Sequence, residues 1–189
     1  MIEKKDTEIY EYGLSVLIYA LINLATIFVI GGVLGCIPES ICYTLCYIIL
    51  RKFTGGYHAR TPLACYLIST FMFFASLTIV RAGLVNLYLI AAVVILAIVC
   101  SCIVPVDTEN KKLSTKEKKV YRLISLSVFL LEVLLGVAAY RFRFLMLVDS
   151  IVMALFCCEL LALVGYLHNC WSDRKNADPE QPALVNGKN

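Results

Sequence analysis

Two side chains in this sequence have the types and the spacing to do nucleophilic chemistry together. They are His58 and Cys65, in the stretch Arg51-Lys52-Phe53-Thr54-Gly55-Gly56-Tyr57-His58-Ala59-Arg60-Thr61-Pro62-Leu63-Ala64-Cys65. A thiolate can attack a carbonyl carbon, and a neighbouring imidazole can take the thiol proton. Were the whole stretch one straight helix, the two Cα atoms would stand about 10.5 Å apart along its axis, too far for that transfer. The sequence instead breaks between them. Thr61 followed by Pro62 reads as an N-cap and first helical position, because a threonine oxygen accepts an otherwise orphaned amide and proline has no amide to orphan. Cys65 then falls at about the fourth helical position, where the positive end of the helix dipole and Arg60 favour an anion, and thiolate is the nucleophilic form. Gly55 and Gly56 allow the preceding loop to fold His58 back over that turn, to within the roughly 2.6–3.2 Å that a base and nucleophile need. The plainer reading stands beside this one. Buried cysteines mostly pack, a lone loop histidine is usually solvated, and a Gly-Gly pair is often only a turn.

The elements that must position this pair are membrane helices. Of 189 residues, 60% are hydrophobic and 16% charged, against roughly 45–50% and about 25% in a soluble domain. Apolar runs over 13–33, 84–104 and 144–167 each reach the roughly 20 residues that span a hydrocarbon core as a helix. Three weaker candidates lie over 40–50, 62–80 and 123–139. The shortest of them, 40–50, reads as a re-entrant segment or a thin helix lengthened by Glu39 and Arg51. The first run follows a mixed-charge start, Glu3-Lys4-Lys5-Asp6, unlike the basic start of a cleaved signal peptide, so the first helix is expected to be retained.

Loop charge then sets the crossing number. With six crossings and the N-terminus inside, all but Arg81, Arg141 and Arg143 of the 17 Lys and Arg residues lie on the inside, which is the bias that orients membrane proteins. If 40–50 failed to cross, the run from Lys111 to Arg122 would be left outside. The expectation is therefore an all-α integral membrane protein of about six helices, the second short. It has one transmembrane domain over 1–170 and a flexible cytoplasmic tail over 171–189, and the 51–60 loop faces the cytosol.

Other constellations are weaker. Nine cysteines, an odd number scattered through apolar runs, do not read as a disulfide framework. Cys42 with Cys46, and Cys100 with Cys102, complete no four-ligand zinc set, so packing is favoured. His168 reads as an interfacial cap at the end of the last helix. Glu132, Asp149 and Glu159 fall within or beside spans, where a carboxylate is costly. They read equally well as orienting or substrate-binding groups and as interhelical hydrogen-bonding partners. A net charge of +3 gives no nucleic-acid signal. No metal or cofactor is expected.

The chain resembles the accessory gene regulator B family of membrane endopeptidases. The resemblance rests on the basic, glycine-rich loop with Arg51, Gly55 and Gly56, on His58-Ala59, on the six residues between His58 and Cys65, and on the membrane helix that follows. Val104-Pro105-Val106-Asp107 with Asn110-Lys111-Lys112 is similar to the family's proline-containing, lysine-rich cytoplasmic loop after the fourth span. Arg60-Thr61 depart from the proline or small residues that the family often has after His-Ala. The resemblance implies a cysteine endopeptidase in the plasma membrane that uses His58 and Cys65 to remove the acidic C-terminal tail of a small precursor peptide. It implies a thioester on the enzyme and closure to a cyclic thiolactone or lactone, an autoinducing peptide for quorum sensing. Arg51, Gly55, Gly56, Arg60, Lys111 and Lys112 would support the loop or dock the peptide. The partners are then the precursor peptide, the lipid bilayer and, at the level of the family only, a second copy of the chain. A thiol peptidase without cyclisation, and a small non-enzymatic transporter or scaffold whose cysteines merely pack, remain open alternatives.

Overall fold

The computed structural model describes residues 4–57, 59, 61–106 and 114–177. These form six helices: α1 (Lys4–Leu34), α2 (Ile37–Thr54), α3 (Pro62–Arg81), α4 (Leu87–Ile103), α5 (Thr115–Arg141) and α6 (Leu145–Ala177). Four of them, α1, α3, α5 and α6, are each long and apolar enough to cross a bilayer, and α4 is an equally apolar helix of 17 residues. Their outer faces carry side chains that water would not tolerate in such number, such as Val33, Phe71, Ile98 and Leu123. The chain is an all-α, multi-pass membrane protein.

Local chemistry sets the helix limits. The segment read as 40–50 is an 18-residue helix that takes in Pro38 and Glu39 at one end and Arg51 and Lys52 at the other. Its length is about 27 Å, close to the roughly 30 Å of a hydrocarbon core. Thr61 caps α3 by accepting from the Ala64 amide at 3.3 Å, and Asn86 caps α4 by accepting from the Leu89 amide at 3.0 Å. A capping box starts α5: the Ser114 hydroxyl accepts from the Glu117 amide, and the Glu117 carboxylate accepts from the Ser114 amide at 2.8 Å. That box moves the start of the fifth helix well ahead of Leu123, so Lys116, Lys118, Lys119 and Arg122 ride on its first turns instead of lying in a loop. The last helix also runs beyond expectation. It continues through Trp171, where the tail was expected to begin, as far as Ala177.

The core is built around α6, which touches α2, α3, α4 and α5, with its broadest contact on α2. Leu155 and Cys158 of α6 are buried with Tyr43 and Leu50 of α2 and Phe73 and Leu77 of α3, and Ala162 of α6 is buried with Cys100, Val104 and Val106 at the end of α4. Without a hydrophobic force between helices in lipid, small residues and polar contacts must hold such surfaces together. The Cys158 thiol donates to the Tyr47 carbonyl at 3.4 Å, Cys157 and Ser76 lie 3.4 Å apart, and Gly31 lets the Ser40 side chain close against α1. All nine cysteines are free.

Two carboxylates interrupt this core. Glu132 on α5 and Glu159 on α6 are each only 4% exposed. Neither Glu132 oxygen has a hydrogen-bond partner, and neither does Oε2 of Glu159. Leaving polar groups unpaired in an apolar bundle costs about 1–3 kcal/mol each. No basic residue among the described residues forms a hydrogen bond to the Glu132 carboxylate.

Candidate functional site

The site lies where the C-terminus of α2, the C-terminus of α4 and the later part of α6 come together, on the loop that leads to the start of α3. Arg51, in the last turn of α2, turns back to donate from its guanidinium to the carbonyls of Gly55 and Tyr57. One rigid, always charged fork thereby ties down two carbonyls of the loop that leads to His58. Gly55 and Gly56 then take φ of +68° and +116°, conformations that side chains with a Cβ rarely adopt.

Their second requirement is space. Gly55 pairs with Val106, just beyond α4, in a parallel bridge, and the Val106 amide donates to the Thr54 carbonyl at 2.9 Å. A Cβ on Gly55 would run into the Val106 backbone. On the other side the loop lies on α6, where the Tyr57 amide donates to the Leu161 carbonyl at 3.0 Å. A Cβ on Gly56 would meet that carbonyl oxygen at 2.7 Å and the Ala162 Cα at 2.9 Å. Gly165, one turn further along α6, completes the fit: a Cβ there would stand 2.8 Å from the Gly56 Cα.

Cys65 sits in the first turns of α3, partly buried, with its amide bonded to the Thr61 carbonyl at 3.1 Å. Further into the bundle α3 meets α2, where the Tyr43 and Phe73 rings stand edge-on at 5.3 Å. His58, Arg60, Lys111 and Lys112 lie outside the described residues. The two stretches that suggested the family, 51–60 and 104–106, are in direct contact through the Gly55 to Val106 bridge.

The first turns of α5 close the same end of the bundle. Arg122 donates to the Ser101 carbonyl of α4, and the Phe53 and Tyr121 rings lie 6.0 Å apart. His168 has a different place from the one its sequence position indicated. Because α6 continues to Ala177, His168 is not in its last turn and caps nothing; its ring stands edge-on to Tyr57 at 5.5 Å. Gly165, the Leu161 carbonyl and this ring pair were missed from sequence. A signal existed for Gly165 alone, since a glycine inside a helix costs about 1 kcal/mol relative to alanine and often marks a close approach.

Among the described residues, no cluster of His, Cys, Asp and Glu could hold a metal ion. The arrangement presents a thiol in the first turns of α3 and a glycine loop fixed as far as Tyr57 by α2, α4 and α6.

Comparison with known proteins agrees with this layout. Residues 1–164 match the family model described as Accessory gene regulator B. A provisionally named AgrB-like protein of Clostridium perfringens (strain SM101 / Type A) is 28% identical over 125 residues, covering 62% of this chain and 58% of the relative. One from Listeria monocytogenes serotype 4a (strain HCC23) is 34% identical over 73 residues, 37% of this chain and 36% of the relative. The chain thus spans 58% of the length of the C. perfringens relative. No solved structure matches. With its glycine loop, its helix-start cysteine and a family match over 1–164, the chain belongs to the accessory gene regulator B family.

Proposed function

We propose that the protein is a membrane-embedded cysteine endopeptidase that cleaves a small precursor peptide at the cytoplasmic face and closes the product to a cyclic autoinducer for quorum sensing. The observation that carries this reading is the way the loop leading to His58 is tied to three helices while Cys65 starts a fourth. A base held against a nucleophile by such a loop would convert an encounter into a positioned reaction. Cys65 thiolate attacks the scissile carbonyl, a C–S bond forms, and the C–N bond breaks. The amine of the C-terminal tail leaves with the proton held by His58. A thiol or hydroxyl within the retained peptide then gives its proton to His58 and attacks the thioester, the lactone or thiolactone bond forms, and the C–S bond to Cys65 breaks to return the thiolate. The exchange keeps the acyl bond activated, so excluding water favours the ring over hydrolysis. Arg51, Gly55 and Gly56 shape the loop; Arg60, Lys111 and Lys112 extend the basic surface toward an acidic tail.

The cytoplasmic placement rests on charge. Lys116, Lys118, Lys119 and Arg122 start α5 at the same end as the glycine loop, whereas Arg81 and Arg141 end α3 and α5 at the other. In a cysteine-free variant, a single thiol at position 116 is expected to react with an impermeant maleimide only in inside-out vesicles. Reaction in intact cells would reverse the topology.

The test of the chemistry uses purified protein in lipid and the peptide encoded by a short reading frame beside its gene. A covalent adduct on Cys65 that hydroxylamine releases is expected, since a thioester is labile to that nucleophile. Replacing the internal cysteine or serine of the precursor by alanine should stop ring formation while tail cleavage continues through slow hydrolysis. A linear product formed at full rate from the unmodified precursor, with no ring by mass spectrometry, leaves a simple thiol peptidase. Neither adduct nor cleavage from folded, inserted protein leaves a transporter or scaffold.

A further inference from the structure

A cavity of about 60 Å³ lies between α1, α2 and α3, lined by Asn23, Tyr43, Thr44, Tyr47, Ser69 and Met72 among others, none of them charged. Two observations connect it to the nucleophile. Ser69, which lines the cavity, stands one turn after Cys65 on the same face of α3. The α1 side is held in register at the same level, where the hydroxyls of Thr26 and Tyr66 lie 3.1 Å apart, Tyr66 being the neighbour of Cys65. The Thr44 hydroxyl is buried and without a hydrogen-bond partner in this wall.

We infer that this cavity receives the side chain of the substrate residue whose carbonyl is transferred to Cys65, and that it selects an uncharged, mainly aliphatic side chain. The inference rests on the peptidase reading for its substrate. A charged side chain would enter a space with no counter-charge, at a desolvation cost that nothing repays. Size adds a second filter. The space is well below the roughly 150 Å³ that accepts a benzene ring, so a branched aliphatic or thioether tip enters and an indole does not. Filling the cavity seats the scissile carbonyl at the start of α3, where Cys65 lies.

The experiment measures this selection without requiring turnover. Full-length protein in phospholipid nanodiscs is treated with N-acetyl amino-acid chloromethyl ketones bearing alanine, leucine, lysine, glutamate or tryptophan side chains. The Cys65 sulfur displaces chloride, a C–S bond forms, and the thiol proton passes to solvent. Labelling of Cys65 is read by peptide mass spectrometry and divided by labelling of Cys102, an exposed free thiol, which removes the effect of probe partitioning into lipid. The normalised rate is expected to be at least about tenfold higher for leucine than for lysine, glutamate or tryptophan, the discrimination that a hydrophobic pocket gives. Ser69→Leu should erase the leucine preference. Met72→Ala should raise the tryptophan rate about tenfold, a gain that a misfolded protein could not produce. Equal normalised rates in the unaltered protein, or a leucine preference that survives in folded Ser69→Leu protein, would overturn the inference. If those failures occur while the precursor is still cleaved, the peptidase reading stands without the cavity. If labelling is selective but the precursor is not cleaved, the peptidase reading falls and takes with it the assignment of the cavity to a precursor residue, leaving only its preference for an aliphatic group.

Discussion

Replacing Cys65 by alanine is expected to abolish precursor cleavage, and replacing His58 by alanine to lower its rate by about 10²–10⁴, the range that a positioned general base contributes. The two losses differ in kind. Without the sulfur there is no covalent route at all, whereas without the imidazole whatever thiolate forms unaided can still attack. Cys65→Ser should be nearly as inactive as alanine, because a hydroxyl beside the same histidine is far less ionised than a thiol. The comparison that gives the result its meaning is with the other cysteines. Cys42→Ala, Cys100→Ala and Cys158→Ala should keep most of the activity per folded molecule. Cys158→Ala should yield less folded protein, since the thiol is fully buried and donates to the Tyr47 carbonyl across the α2 and α6 contact. The assay is the release of the C-terminal tail, followed by mass spectrometry in lipid. Cleavage by the Cys65→Ala protein would refute the nucleophile assignment, and an unchanged rate with His58→Ala would remove the base.

Gly165→Ala is expected to lower activity by about 10²-fold through the loop that leads to His58. By helix propensity alone the change should stabilise α6 by about 1 kcal/mol. The added methyl group, however, would stand 2.8 Å from the Gly56 Cα. Backbone cannot yield as a flexible side chain tip does, so the glycine loop must lift from α6. That movement strains the Tyr57 to Leu161 hydrogen bond and displaces the segment leading to His58. A misplacement of about 1 Å at a reacting group is enough for a loss of this size. Helix content by circular dichroism and yield in the membrane should stay close to those of the unaltered protein, which separates a displaced loop from an unfolded one. Full activity in Gly165→Ala would mean that the contact between Gly56 and Gly165 does not position the catalytic histidine.

Much of the architecture was legible in the order of residues because a bilayer imposes simple rules. Backbone groups must be satisfied within each segment and hydrocarbon must be spanned, so apolar length reports helices directly. Thr61-Pro62 announced the start of α3 through the chemistry of the cap itself, and the structure has that cap. The start of α5 was misplaced because apolar length is blind to the Ser114 and Glu117 capping box, which begins the helix inside a charged run. The end of α6 was misplaced for a related reason, since its last turns are polar and carry no hydrophobic period.

The sequence by itself determined the helices, the cap before Cys65, and the two glycines on the way to His58, because each follows from local backbone chemistry or from the thickness of a membrane. Tertiary structure alone decided what those glycines touch. Val106 and Gly165 lie far along the chain from Gly55 and Gly56, and no spacing rule links them. Their pairing depends on how α2, α4 and α6 pack, and a close approach of backbones leaves no trace in sequence except the absence of a side chain. The same holds for the cavity next to Cys65, whose walls come from three helices and whose volume is set by side chains that fail to meet.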